Sequence, residues 1–251
     1  LFGAFLTSTK TSDFFNDISM ALTGHLKGGP AKISVLSSAL MGTISGSTSA
    51  NVATTGAFTI PLMKSIGYQP YFAGAVEAAA STGGQIMPPV MGAAAFIIAD
   101  TLNIKYTTVL LCAIVPALLY FWGIWCSLSL EASRLGLKGL PKESLPKAKE
   151  VLIKSGYKAI PLLVIIYFLV KGYNPLFSGC WGILASIVLS FVKKSDRLNL
   201  KVFLKTLKDG SISALSVAIA CIIAGNVIGM MGATGVALRI GDVVLTLTTG
   251  H

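Results

Sequence analysis

Charged side chains are scarce in this chain of 251 residues: 12% are Asp, Glu, Lys or Arg, against 53% hydrophobic. A soluble domain is nearer one quarter charged, so the composition excludes an ordinary water-soluble globule and reads as an integral membrane protein. The mean hydropathy of +0.75 agrees. Acid is scarcer than base, 10 residues against 20, leaving a net charge of +10. Of the 20 Lys and Arg, 13 fall in residues 134–158 and 193–208. Cytoplasmic flanks of membrane helices carry such base, so the charge reads as topology, with no nucleic-acid partner. The four cysteines, Cys112, Cys126, Cys180 and Cys221, lie in apolar runs without CxxC spacing. They read as small core residues, so neither a disulfide framework nor a metal site is expected.

Catalytic signatures are also missing. The chain contains no G-x-x-x-x-G-K-[ST], no H-E-x-x-H and no G-x-S-x-G. Ser45, Ser47 and Ser49 have no neighbouring histidine to serve as base, and His25 has no acidic or Cys partner at useful spacing. Catalysis is not expected, and neither is a bound cofactor. No signal peptide is visible.

What the chain does have is polar sequence where apolar sequence belongs. Residues 42–91 read GTISGSTSANVATTGAFTIPLMKSIGYQPYFAGAVEAAASTGGQIMPPVM, flanked by apolar runs. Two polar breaks interrupt it, at 45–56 and 81–89. Unpaired backbone groups inside a bilayer cost several kcal/mol, so irregular chain survives there only when buried in protein or lining a wet cavity. Two broken helices close in sequence are the best sequence-level pointer to a transporter's substrate and ion site. The first break reads as a re-entrant hairpin, with 31–44 as a short helix in and 57–63 as a short helix out. The second is an interrupted helix that opens at Pro70 and resumes over 91–100, because consecutive prolines Pro88 and Pro89 remove backbone donors and force an unwound section.

The rest of the chain frames these breaks. Residues 11–27 carry Phe14, Phe15, Ile18, Leu22 and Leu26 at helical spacing and suit an interfacial helix ended by Gly28-Gly29-Pro30. Residues 1–104 thus make a first repeat. A transmembrane helix over 105–130, a basic cytoplasmic loop over 131–156 and a transmembrane pair over 157–192 follow. Two crossings separate the basic stretches, which places both on one face. Residues 193–251 read as an amphipathic helix with Lys201, Lys205 and Lys208 opposite an apolar stripe, then a full span, then the start of a second repeat with Arg239 and Asp242. GMMGATGVALRIGDVVLTLTTG faintly echoes the FFNDISMALTG of the opening. Without an initiator Met, and with a helix tail at one end and no closing element at the other, the chain reads as an internal fragment of a longer permease.

The chemistry offered at the breaks suits a hard cation. At the hairpin tip Ser45, Ser47, Ser49, Thr54 and Thr55 supply hydroxyls and Asn51 an amide, while Gly46 and Gly56 let backbone approach an ion. At the interrupted helix the candidates are Thr82, Gly83, Gly84, Gln85, Pro88 and Pro89. The competing reading is that the small residues only permit close helix packing; Ser38, outside both breaks, serves as its reference. Glu77 is the one acid well inside a helix, and an intramembrane carboxylate is a functional candidate by default. The plainer alternative, which fits slightly better, is a glutamate near the interface paired to Lys64 or hydrogen-bonded to backbone as a strut.

The stretch SGSTSANVATTGAFTIPLMKSIGYQPYFAGAVEAAASTGGQIMPPVMG closely resembles the large membrane subunit of TRAP (tripartite ATP-independent periplasmic) transporters, particularly permeases that fuse small and large membrane subunits. FFNDISMALTGHLKGGPAK and LGLKGLPKESLPK extend the resemblance over most of the chain. It implies an all-α polytopic protein of a prokaryotic inner membrane: part of an elevator-type secondary transporter core, driven by sodium as coupling ion. Its implied partners are an extracytoplasmic solute-binding protein, a small membrane subunit or fused equivalent, and the lipid bilayer, and its solute is typically a small organic acid. The family's first sodium site would here lie between 45–56 and 82–89, and the matching second hairpin would lie outside this chain. A stand-alone sodium/anion symporter and a non-transporting membrane scaffold remain the alternatives. Irregular backbone at depth weighs against the scaffold.

Overall fold

Helices account for the secondary structure of the described residues, 2–192 and 199–235, in the computed structural model of the chain. Residues 1–211 form one compact unit and 212–251 a second. Within the first, α1 (Phe2–Ser8) and α2 (Thr11–Thr23) lead into α3 (Gly29–Ser45) and α4 (Thr48–Ser65). Next come α5 (Pro70–Gly83), α6 (Ala93–Thr101) and the long α7 (Tyr106–Arg134). After α8 (Ala148–Ser155) come α9 (Ile160–Val170), α10 (Pro175–Ser190) and α11 (Leu200–Thr234), whose later part belongs to the second unit.

Local sequence sets the ends of the central helices. Gly28 takes a left-handed conformation (φ 65°) before α3, and Pro30 fills the first turn, where a missing N–H costs nothing. Gly46 closes α3 in the left-handed region (φ 57°), its N–H donating to the Gly42 carbonyl. The Ser47 hydroxyl then accepts from the Ala50 N–H at 3.4 Å and caps α4. The polar stretch expected as an open tip over 45–56 is therefore mostly helix: only Gly46 and Ser47 lie outside it, and α4 runs 18 residues where a short piece over 57–63 was predicted. Hydroxyls that bond back to their own helix make this possible. Thr54 donates to the Ala50 carbonyl, and the Thr59 hydroxyl lies within reach of the Thr55 carbonyl at 3.0 Å.

Two apolar clusters hold the first unit. One gathers Phe14, Phe15 and Ile18 of α2 with Met41 and Ile44 of α3, Met91 beside α6 and Val109 of α7. Phe14, Phe15 and Ile18 of the stripe expected for an interfacial helix thus pack into protein, while Leu22 remains exposed. The other joins α3, α4, α5 and α7 through Val35, Met63, Val76 and Phe121. Lys32 of α3, largely buried, adds a cation–π contact to Trp125 of α7, 5.1 Å from the ring centre.

Two helical stretches are long and apolar enough to cross a membrane, Tyr106–Arg134 and Ala148–Val170. On α7, Leu111, Val115, Leu118, Leu119 and Trp122 all face outward, the reverse of a water-soluble helix. The predicted loop over 131–156 is partly helical, since α7 extends to Arg134 and α8 occupies Ala148–Ser155. Of the pair expected over 157–192, α9 closes the 148–170 stretch that is long enough to cross, whereas α10 at 16 residues is shorter than a full span. No boundary separates the expected amphipathic helix from the following span: α11 is continuous over 35 residues. The cysteines are not core residues as predicted; Cys112, Cys126 and Cys180 are exposed, on outward helix faces. The expected second-repeat start, with Arg239 and Asp242, lies outside the described residues.

Close backbone contact between Gly42 and Gly84 brings the hairpin against the interrupted helix. A Cβ on Gly84 would stand 2.9 Å from the Gly42 Cα, whereas one on Gly74 of the same chain segment would meet nothing within 4 Å. Overpacking costs about 1–3 kcal/mol, and Gly to Ala in an open helix interior gains roughly 0.5–1 kcal/mol. Thermal unfolding in detergent should therefore show Gly84→Ala well below wild type and Gly74→Ala level with it or above.

Candidate functional site

The two breaks meet. Gly46 at the hairpin turn lies against the carbonyls of Val90 and Met91, where an added Cβ would come within 2.8 and 2.5 Å. The Val90 N–H donates to the Thr43 carbonyl of α3 at 3.3 Å, a backbone bond between hairpin and break. Residues 84–92 are non-helical, and the Pro88–Pro89 peptide is cis. Their freed backbone groups find partners nearby: the Gly92 N–H donates to the Gln85 carbonyl at 2.7 Å, and the Tyr106 hydroxyl to the Pro89 carbonyl at 2.8 Å. Tyr120 of α7 donates to the Ala79 carbonyl at 2.9 Å, just before the break.

Among the sequence-predicted residues, the structure separates an inner set from an outer one. Asn51, Thr55, Gly56, Gly83, Gly84 and Pro89 are buried. Ser47, Ser49, Thr82 and Gln85 are exposed, with Ser45, Gly46, Thr54 and Pro88 between. Asn51 is fully enclosed although it lies near the turn. Its Nδ2 donates to the Ser38 carbonyl at 2.9 Å and packs at Gly84, so the amide occupies the seam between hairpin and break. Gly56 is small for a different reason: a Cβ there would press on the Glu77 Cγ at 3.0 Å. Asp100 and His25 are exposed.

Glu77 lies at the middle of the three-helix core, wholly buried. Its expected partners were Lys64 or backbone; its actual partners are five hydroxyls. Ser34 of α3 donates to Oε2 at 2.6 Å and Ser38 to Oε1 at 3.2 Å. Ser81 of α5 donates to Oε1 at 3.1 Å. Thr55 and Thr59 of α4 close the cage, the first on Oε1 and the second on Oε2. Lys64 is exposed at the far end of α4. A carboxylate only accepts, so five O–H donors are a complementary set, and hydrogen bonds to a charged acceptor are the stronger kind. Removing such an acid from water is costly unless these bonds replace hydration.

Sequence reasoning missed Ser34, Ser38, Thr59 and Ser81 in this cluster, and treated Ser38 as a bystander. Spacing would have found them. Ser34 and Ser38, Thr55 and Thr59, and Glu77 and Ser81 are each i, i+4 pairs, so each pair shares one helix face. Thr48 was also passed over at the turn; its Oγ1 is buried with no hydrogen-bond partner. Groups of three or more His, Cys, Asp or Glu that could hold a metal ion are absent among the described residues, so any cation here would rest on hydroxyl, amide and carbonyl oxygens. A separate cavity of about 390 Å³ is lined by Pro88, Pro89, Leu110, Leu111 and Leu169 with Lys105, and is mainly apolar.

Comparison with known proteins adds the context. The family model described as "Tripartite ATP-independent periplasmic transporter, DctM component" matches residues 1–251. A C4-dicarboxylate TRAP transporter large permease protein of Pseudomonas aeruginosa is 26% identical over 208 residues, 79% of this chain and 47% of that protein. A 2,3-diketo-L-gulonate TRAP transporter large permease protein of Escherichia coli is 29% identical over 150 residues, 60% of this chain and 35% of that protein. The isethionate TRAP transporter permease protein of Oleidesulfovibrio alaskensis is 36% identical over 87 residues, 35% of this chain and 14% of its own length. The chain spans about half the length, or less, of the curated relatives it matches.

The cage predicts a stability ranking. Thr59→Val removes one donor from a buried acceptor and should cost about 1–3 kcal/mol. Thr54→Val, whose hydroxyl only bonds back to its own helix, should change the unfolding midpoint little. Equal midpoints for the two variants would show that the hydroxyl cage carries no stability.

Proposed function

The chain belongs to the tripartite ATP-independent periplasmic transporter family, as a DctM component, and from that premise we propose that it is the membrane permease part of a sodium-coupled secondary transporter. The family consists of transporter components and not enzymes, which agrees with the absence of catalytic motifs. The transported solute is a small organic acid, the class to which the solutes in the matched relatives' names belong: C4-dicarboxylate, 2,3-diketo-L-gulonate and isethionate. An extracytoplasmic binding protein delivers it to the permease in a prokaryotic inner membrane, and a small membrane subunit, separate or fused, completes the assembly.

The observation that carries this reading is the junction of the two breaks. Backbone carbonyls of Val90 and Met91 crowd the turn at Gly46, and the Asn51 amide is buried in the seam at Gly84. Carbonyl and amide oxygens around irregular backbone suit a desolvated hard cation, which needs oxygen ligands more than counter-charge in direct contact. The helical hairpin of α3 and α4 suits a re-entrant element. At 17 and 18 residues each arm reaches about 25 Å, short of a hydrocarbon core of roughly 30 Å. Carried as one piece with α5, hairpin and break would move together past α7 in an elevator-type cycle.

Uptake into proteoliposomes of the full-length permease, with its binding protein, tests the coupling. Uptake should collapse when the sodium gradient is removed, and should not need ATP. Asn51→Ala should lower sodium-driven uptake at least tenfold, because it strips the one buried amide from the seam, while exposed Ser49→Ala should stay within about twofold. Sodium-independent uptake by the wild-type protein would defeat the proposal.

A further inference from the structure

We propose that Glu77 is the counter-charge and the positioning residue of the cation site between hairpin turn and break, acting through Thr55 on Asn51. The inference rests on the sodium-coupled reading above and adds to it a residue outside both breaks.

The argument begins with protons. A hydroxyl has one proton to donate. Thr55 Oγ1 has four oxygens competing for its proton: Glu77 Oε1, the Asn51 carbonyl at 2.9 Å, Ser38 Oγ at 3.2 Å and Asn51 Oδ1 at 3.4 Å. A carboxylate outcompetes neutral carbonyls, because charge-assisted hydrogen bonds are roughly twice as strong. With Glu77 present the Thr55 proton goes to the carboxylate, and Asn51 Oδ1 keeps its lone pairs. The Asn51 Nδ2 is tied to the Ser38 carbonyl at 2.9 Å, which sets the amide orientation. Ser38 also donates its own hydroxyl to Glu77 Oε1, so both anchors of the Asn51 side chain lead to the same acid. The result is an amide oxygen held without a strong donor, in the seam where the two breaks meet.

Charge makes the second part. A cation entering a site of neutral oxygens buries a positive charge, which is unfavourable unless a negative one lies near. Glu77 is the fully buried acid among the described residues, and the ion pairs described, Arg134–Glu131 and Lys147–Glu150, are surface contacts far along the chain. A unit charge on the order of 10 Å from a bound cation, at an effective dielectric constant of about 20, changes its affinity roughly tenfold. The carboxylate is wrapped by hydroxyls, so it is not itself a ligand; it acts at one remove.

Sodium titration of uptake by the full-length permease with its binding protein separates this role from a structural one. Glu77→Gln keeps the size of the side chain but loses the charge, and with it the advantage over neutral carbonyls for the Thr55 proton. It should raise the sodium concentration for half-maximal uptake roughly tenfold, with the maximal rate at saturating sodium within about twofold of wild type. Glu77→Asp, which keeps the charge, should recover part of the shift. Should Glu77→Gln fail to reach the membrane folded, Thr55→Val is expected to raise half-saturating sodium about threefold, with Thr55→Ser close to wild type. A wild-type protein indifferent to sodium would defeat the proposed function. A sodium-dependent wild type with unchanged half-saturation in the folded variants, or with only the maximal rate reduced, would overturn the role of Glu77.

Discussion

A single carboxylate, carried into the middle of three helices and matched there by five hydroxyls, sets the terms for the rest of the core. An acid in such a place tolerates no half measures: each missing donor leaves charge unsatisfied in a medium that cannot supply water. The requirement fixes the rotation of α3, α4 and α5 about their own axes, because each must turn its hydroxyl pair, or its acid, toward the same point. It also fixes their spacing. Gly56 has no room for a side chain beside the Glu77 stem, and Gly42 and Gly84 bring backbones together where larger residues would hold them apart. Apolar packing through Val35, Met63 and Val76 joins the same three helices.

From that centre the geometry of the breaks follows. With α3 and α5 locked, the Gly46 turn falls against Val90 and Met91, and the unwound segment gains a backbone bond to Thr43. Tyr106 and Tyr120 of α7 satisfy carbonyls on either side of the unwinding. The irregular chain is thereby covered by protein in part: Gly84, Pro89 and Met91 are buried, while Gln85 stays exposed. The same arrangement leaves Asn51 enclosed at the seam, reached by protein groups from two helices. Stability and the proposed cation chemistry therefore share the same side chains, and a change at Thr55 or Ser38 touches both.

The exterior obeys a different solvent. The outward face of α7 is leucine, valine and tryptophan, and exposed cysteines sit on outward helix faces where a soluble protein would hide them. The expectation of buried cysteines failed for that reason: in lipid, apolarity of a run says that it avoids water, not that it is covered by protein. Likewise the stripe of α2 has the pattern of an interfacial helix, yet Phe14, Phe15 and Ile18 find protein partners in α3 and α7. An amphipathic pattern identifies the buried face without saying what buries it.

The sequence by itself determined the membrane class, the family, and the positions of the two breaks, because those rest on composition, local backbone chemistry and residue order. Gly46 in a left-handed turn and the Pro88-Pro89 interruption are local effects, legible without partners. It misjudged the length of the polar turn, since a side chain that looks like a loop former can satisfy itself by bonding back along a helix, as Thr54 does. The partners of Glu77 were decided only by tertiary structure. An i, i+4 spacing places two hydroxyls on one face of a helix, but which faces of three helices converge depends on packing that no single segment encodes. That convergence turned an isolated acid, read most simply as an interfacial strut, into the hub that joins hairpin and broken helix.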